Sequence, residues 1–142
     1  MSTEENKSVA NRWYEEVFNA GKLELIDELF APDFVDHDPS NPIPGLDGVR
    51  QLVTMYRTAF PDLHITVEDT ITEDDKVVTR FIGRGTQNGP LMNIPPTGKK
   101  VELTAIDILR FENGKMVEHW GNQDLLGMMQ QLGVIPAPGQ AN

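Results

Sequence analysis

Residues 101–133, VELTAIDILRFENGKMVEHWGNQDLLGMMQQLG, set the fold of this chain. At their centre Asn113-Gly114 separates two alternating runs, and a type I′ turn needs positive φ at both central positions, which Asn and Gly accept. Counting outward gives the register. Glu112 faces Lys115, Phe111 faces Met116, Leu109 faces Glu118, Asp107 faces Trp120, Ala105 faces Asn122 and Leu103 faces Asp124. With a side-chain period of two, these residues share one sheet face, while Arg110, Ile108, Val117 and His119 share the other. The first face is apolar yet carries Asp107, Glu118, Trp120, Asn122 and Asp124. A small-molecule pocket needs that mixture.

Outward from this hairpin, residues 64–72 and 77–86 alternate around Asp74-Asp75 and predict a second hairpin. Its register groups Ile65, Val67, Asp69 and Ile71 with Val78, Arg80, Ile82 and Arg84 on the less polar face, which predicts an inward Asp69–Arg80 pair. The opposite face holds Thr66, Glu68, Thr70 and Thr72 with Val77, Thr79 and Phe81. Between the hairpins, QNGPLMNIPPTGKK (87–100) is a Pro/Gly-rich connection of the length used for lids and rims.

Upstream the period is helical. Ser2-Thr3-Glu4-Glu5 is a capping box ahead of Val9, Trp13 and Val17, with Ala10, Tyr14 and Phe18 beside them, and Gly21 ends the run. Leu23, Leu25, Ile26, Leu29 and Phe30 predict a second helix closed by Pro32, and residues 34–38 a short extended segment. A third helix over 48–60 presents Val49, Leu52, Val53 and Tyr56. A short helix over 125–132, ended by Gly133, follows the last strand. Helices followed by four antiparallel strands predict an α+β fold, its helices on one face of a curved sheet. The length suits a single domain over 1–135, followed by a flexible Pro/Gly tail over 136–142.

Twelve basic against 22 acidic residues give a net charge of −10, which repels nucleic-acid backbones and anionic membranes. There is no cysteine, so disulfides and thiolate metal sites are excluded. No run approaches the roughly 18 apolar residues of a membrane span, and MSTEENKSVANRW has no apolar signal core, so a cytoplasmic protein is expected. His37, His64 and His119 lack metal-ligand spacing. Pro95-Pro96-Thr97-Gly98-Lys99 lacks the upstream glycine and following Ser/Thr of a phosphate loop.

The order of elements, NIPPTGKKVEL, ILRFENGKMVEHW and DLLGMMQQLG together resemble the SnoaL-like polyketide (ester) cyclases of the nuclear-transport-factor-2-like superfamily. The resemblance spans nearly the whole chain. It implies a conical α+β barrel, with a strongly curved, mainly antiparallel sheet packed on three N-terminal helices and a pocket between them. It further implies a cyclase- or isomerase-type enzyme acting on an apolar, carbonyl-bearing small molecule, by intramolecular aldol cyclisation in the characterised cyclases, with no metal or cofactor, and pairing into a homodimer. An aspartate before the LLxxxQQLG segment serves such cyclases as general acid/base, which in this chain is Asp124. Two departures fall at the expected pocket rim: Gln87 stands where many relatives have histidine in a GTH motif, and Asn93 where they have glycine.

Each candidate has a plainer use. Asp124 precedes a helix, where an N-cap employs its oxygens on backbone amides and favours the charged form. In an apolar pocket, desolvation raises a carboxyl pKa toward the value useful for carbon-acid chemistry. Asp107 is either a second acid/base group or a structural acceptor, and His37 either assists proton transfer at the cavity mouth or bonds locally. Trp120, Trp13, Tyr56 and Asn122 are candidate substrate-binding residues of the pocket. Arg80 either pairs with Asp69 or binds an enolate oxygen. His119 lies opposite Asp124 in this register and is set aside unless a bulge intervenes. The outer face, with Val77, Phe81, Ile106, Ile108 and Val117, suits a dimer, and Met128, Met129 and Leu132 suit core or dimer surface. The alternative to an enzyme is a non-catalytic ligand-binding or dimerisation domain on the same scaffold.

Overall fold

Helix α1 spans Thr3–Arg12, and the Ser2 hydroxyl accepts from the Glu5 amide at 3.1 Å, as the capping box predicts. The structure, a computed structural model, describes residues 2–136 and 139. The expected tail therefore lies mostly outside the described residues. Beyond α1 the helix widens into a π-helix over Trp13–Asn19, keeping Trp13, Tyr14, Val17 and Phe18 all buried. Arg57 closes it: Nη1 donates to the carbonyls of Phe18 and Asn19 at 2.5 and 3.0 Å, placing a cation on the negative end of the helix dipole.

A single 3-10 turn, Leu23–Leu25, leads into α2, Ile26–Leu29. Strand β1, Phe30–Asp36, starts earlier than predicted and contains Pro32. It lies at an edge of the sheet, where a missing N–H costs no ladder bond. Helix α3 covers Gly45–Ala59 and buries Val49, Val53 and Tyr56.

The sheet is five-stranded and curled, in the order β1-β5-β4-β3-β2, with helices on one side. Strands β2 (His64–Glu73), β3 (Lys76–Thr86), β4 (Lys100–Glu112) and β5 (Lys115–Gln123) are antiparallel to their neighbours, and β1 adds a parallel partner to β5. Both hairpins reverse where the sequence places them. Asn113 and Gly114 take φ of 51° and 76°, and Glu73 pairs with Lys76.

Two bulges change which side chains face inward. In the long hairpin Phe111 pairs with Met116 but Arg110 pairs with Glu118, so Val117 is an extra residue. Past it, Leu109 faces His119, Ile108 faces Trp120 and Asp107 faces Gly121, one residue off the predicted register. A one-residue slip exchanges the faces of a strand. His119, Gly121 and Gln123 therefore join Asp107 and Leu109 on the helix-covered side, and Trp120, Asn122 and Asp124 go to the outer side.

In the other hairpin Val67 pairs with Phe81 and Asp69 with Arg80, leaving Glu68 extra. Ile65 and Val67 pack inward with Val77, Thr79 and Phe81, while Asp69, Ile71, Val78 and Arg80 face out. The predicted inner and outer faces of β3 are thus exchanged. The Asp69–Arg80 pair forms, with Arg80 Nε 2.7 Å from Asp69 Oδ2, but at the surface.

Residues 87–99 are anchored to the body at Gln87, Gly89 and Leu91, while most of the others are exposed. Leu91 is fully buried, and none of these residues lines the apolar cavity between sheet and helices. Gln87, also fully buried, donates to the carbonyls of Gly89, Ile94 and Pro95 and accepts from the Thr97 amide and hydroxyl. It staples the loop. A Cβ on Gly89 would lie 2.2 Å from the Thr58 carbonyl oxygen, so glycine permits the close approach to α3. The last helix among the described residues is α4, Leu125–Gln131, followed by Gly133 at φ 79°. Among the described residues, no helix is long and apolar enough to cross a membrane.

Candidate functional site

The inner sheet face, the π-helix and α3 enclose a cavity with an apolar body of Trp13, Phe18, Phe30, Phe34, Val49, Leu52 and their neighbours on β2–β4. Into it project Asp36, Asp38, Tyr56, Asp107, His119 and Gln123. No lysine or arginine is among the lining residues.

Three strands and the π-helix converge on one cluster. On β1, Phe34 faces inward, so by alternation Asp36 does too. The Val117 bulge turns His119 inward on β5, directly between Asp36 and Asp107 of β4. Its Nδ1 lies 2.8 Å from Asp36 Oδ1 and its Nε2 2.9 Å from Asp107 Oδ1. Tyr14, fully buried on the π-helix, donates its hydroxyl to Asp107 Oδ2 at 3.0 Å. Asp36 also accepts from the Asp38 amide and the Asn41 side chain.

Electrostatics follow from this geometry. Burial opposes charge on the His119 imidazole, but hydrogen bonds and attraction from both Asp107 and Asp36 outweigh it and raise the pKa to about 10. The ring is an imidazolium at neutral pH, donating from both nitrogens. For Asp36, burial alone would raise the pKa, yet the His119 contact and the Asp38 and Asn41 hydrogen bonds hold it below the usual carboxylate value. Burial, then the neighbouring Asp107 charge, pushes the Tyr14 phenol well up, so it serves as a donor.

A second polar group lies farther along β5. The Tyr56 hydroxyl donates to Gln123 Oε1 at 3.2 Å, and Gln123 Nε2 donates to Asp38 Oδ2 at 3.3 Å. Burial and then the Asp38 charge raise the Tyr56 pKa to about 12, so this phenol also stays protonated.

Of the residues singled out from sequence, Asp107, Trp13 and Tyr56 line the cavity. Asp124 does not. It is the N-cap of α4, its Oδ1 accepting from the Gly127 amide at 2.9 Å, and it borders an outer groove with Trp120, Asn122 and Arg80. The Val117 bulge places Asp124, Trp120 and Asn122 there, and strand parity on β3 does the same for Arg80. His37 is also outside: its ring stacks on Trp120 at 4.8 Å, and its Nε2 lies 2.7 Å from Glu118 Oε2. The residues missed from sequence are Asp36, Asp38, Tyr14, Gln123 and, through the register, His119. The inward parity of Phe34 was the available signal for Asp36 and Asp38. Among the described residues, no group of three or more His, Cys, Asp or Glu is placed to hold a metal ion.

Comparison with known proteins agrees with this architecture. The model of the SnoaL-like polyketide cyclases matches residues 8–132. A nogalonic acid methyl ester cyclase from Streptomyces nogalater is 27% identical over 124 residues, covering 82% of this chain and 89% of the relative. The structure of TsrD from Streptomyces laurentii superposes with a TM-score of 0.87 at 28% identity, covering 95% of this chain and 99% of that one. IdmH from Streptomyces antibioticus gives 0.79 at 36% identity, covering 90% and 98%.

Proposed function

This chain belongs to the SnoaL-like polyketide cyclase family, and from that premise we propose that it cyclises a neutral, largely apolar keto ester by intramolecular aldol addition, with Asp107 and His119 moving the proton. The observation that carries the proposal is a partly buried imidazolium, its side chain 13% exposed, clamped between two carboxylates at the wall of an apolar cavity.

The Asp107 carboxylate keeps free lone pairs after accepting from His119 and Tyr14. It takes the proton from the carbon between the ketone and ester groups. That carbon's electron pair forms the new C–C bond to an internal carbonyl carbon, and the carbonyl π pair moves to its oxygen. Once Asp107 is protonated it no longer holds the His119 Nε2–H as a charged acceptor, and that N–H gives this oxygen its proton while Nδ1–H stays on Asp36. A proton crossing the 2.9 Å contact from Asp107 to His119 then restores both groups. The step calls on no cofactor.

The apolar lining of the cavity favours hydrocarbon over charged substrate groups. Its free volume of about 80 Å³ is below the roughly 300 Å³ or more of ligand pockets, so lining side chains must move to admit a ring system. The cavity's polar wall holds three carboxylates, Asp36, Asp38 and Asp107, against one cation, which favours an ester over a free acid. The test is turnover of nogalonic acid methyl ester. Asp107→Asn should lower it by about a hundredfold or more at retained folding. Wild-type turnover by that variant would refute the assignment.

We also propose that the outer sheet face pairs with a second copy of the chain. Ile82, Ile106, Ile108 and Trp120 line its groove, and Ile106 is 48% exposed. Val77, Phe81 and Val117, expected on that face, are turned inward or held in the bulge. Ile106→Asp should convert a dimer to a monomer in sedimentation, and an unchanged species would oppose this interface.

A further inference from the structure

We propose that Gly121 is a positioning residue, because the space its missing side chain leaves is occupied by the Asp107–His119 hydrogen bond. This rests on the reading of Asp107 and His119 as the proton-moving pair. Gly121 lies on β5 directly across from Asp107, and on the same face as His119 two residues before it. A Cβ built there would be 2.6 Å from Asp107 Oδ1, 2.9 Å from His119 Nε2 and 3.0 Å from His119 Cε1. Its backbone does not require glycine, since Gly121 is not among the residues with positive φ. What it requires is room.

Neither neighbour has an easy retreat. Asp107 is 6% exposed and its other oxygen is held by Tyr14, while the far nitrogen of His119 is held by Asp36. The charged or titratable groups facing His119 are Asp36 from β1 and Asp107 from β4, with Tyr14 of the π-helix behind Asp107. A methyl at 121 must therefore separate His119 from Asp107, leaving the imidazole with Asp36 alone. Gly121 acts through these two residues and needs no contact with substrate.

The test is an NMR titration of the His119 ring in wild type and Gly121→Ala. Loss of one close carboxylate partner should lower the His119 midpoint by about one to three pH units. An unchanged midpoint in a folded Gly121→Ala protein would overturn the proposal. If Gly121→Ala does not fold, Asp107→Ala with Gly121→Ala decides the matter: removing the obstructing carboxylate should restore folding, and failure to do so would count against the assignment. The titration reads no turnover, so it separates this inference from the cyclase reading. Turnover adds a further check, since Gly121→Ala should lower it strongly in the wild-type background and little once Asp107 is already Asn.

Discussion

Replacing His119 by Gln should remove most of the protein's stability loss between pH 7 and 9. The native imidazole titrates near 10 because of Asp107 and Asp36, whereas an unfolded histidine titrates near its ordinary 6.5. Between those values the native state binds a proton that the unfolded state has released, so stability falls as pH rises. The contribution is fully present below about 6.5 and is lost on passing through about 10. Each pH unit inside the window costs about 1.4 kcal/mol, so the interval from 7 to 9 should cost about 3 kcal/mol. The lowered Asp36 pKa acts at the acid end, being lost as pH falls through its native value, and the raised Tyr14 and Tyr56 values act above 10. Neither interferes. At pH 7 the Gln variant should also be less stable by about 3–5 kcal/mol, since two buried carboxylates lose their cation. Urea unfolding of both proteins at pH 7, 8 and 9 measures this. Curves that run parallel across the three pH values would refute a clamped imidazolium.

Other substitutions separate site from scaffold. Asp124→Asn should leave turnover unchanged and stability within a few tenths of a kcal/mol, while Asp124→Ala should cost about 1 kcal/mol, as measured by the same urea assay. Tyr14→Phe removes the donor to Asp107 Oδ2 and should lower both stability, by about 1–2 kcal/mol, and turnover of the methyl ester. Gln87→Ala strands the Thr97 donors and three carbonyls, and should cost about 2–3 kcal/mol in thermal or urea unfolding with kcat retained.

The elements were legible in the sequence because local chemistry specifies them. Ser2 caps the first helix, Asn113-Gly114 reverses the long hairpin, and Gly133 ends the last helix. The assignment of faces was not, since it depends on a count of residues that a single bulge changes. Met116 and Val117 are adjacent and both buried, which an unbulged strand with one solvated face does not provide. That doublet was the sequence signal for the slip, but Ile106, Ile108 and Trp120 outside mirror Leu109 and Ala105 inside, so hydrophobicity alone did not choose between registers. Polar chemistry does choose. With Val117 bulged, every buried acid at the cavity wall meets a partner: Asp36 and Asp107 share His119, and Tyr14 completes Asp107. Without it Asp107 would face Trp120, and His119 would lie on the outer surface, leaving a buried carboxylate without its cation. The bulge thus satisfies the charge that β4 places inside, and the same residue shift brings the imidazole to the cavity. Stability of the fold and assembly of the proposed proton-moving pair are one structural event, which is why the register, more than any motif, determines what this chain can do.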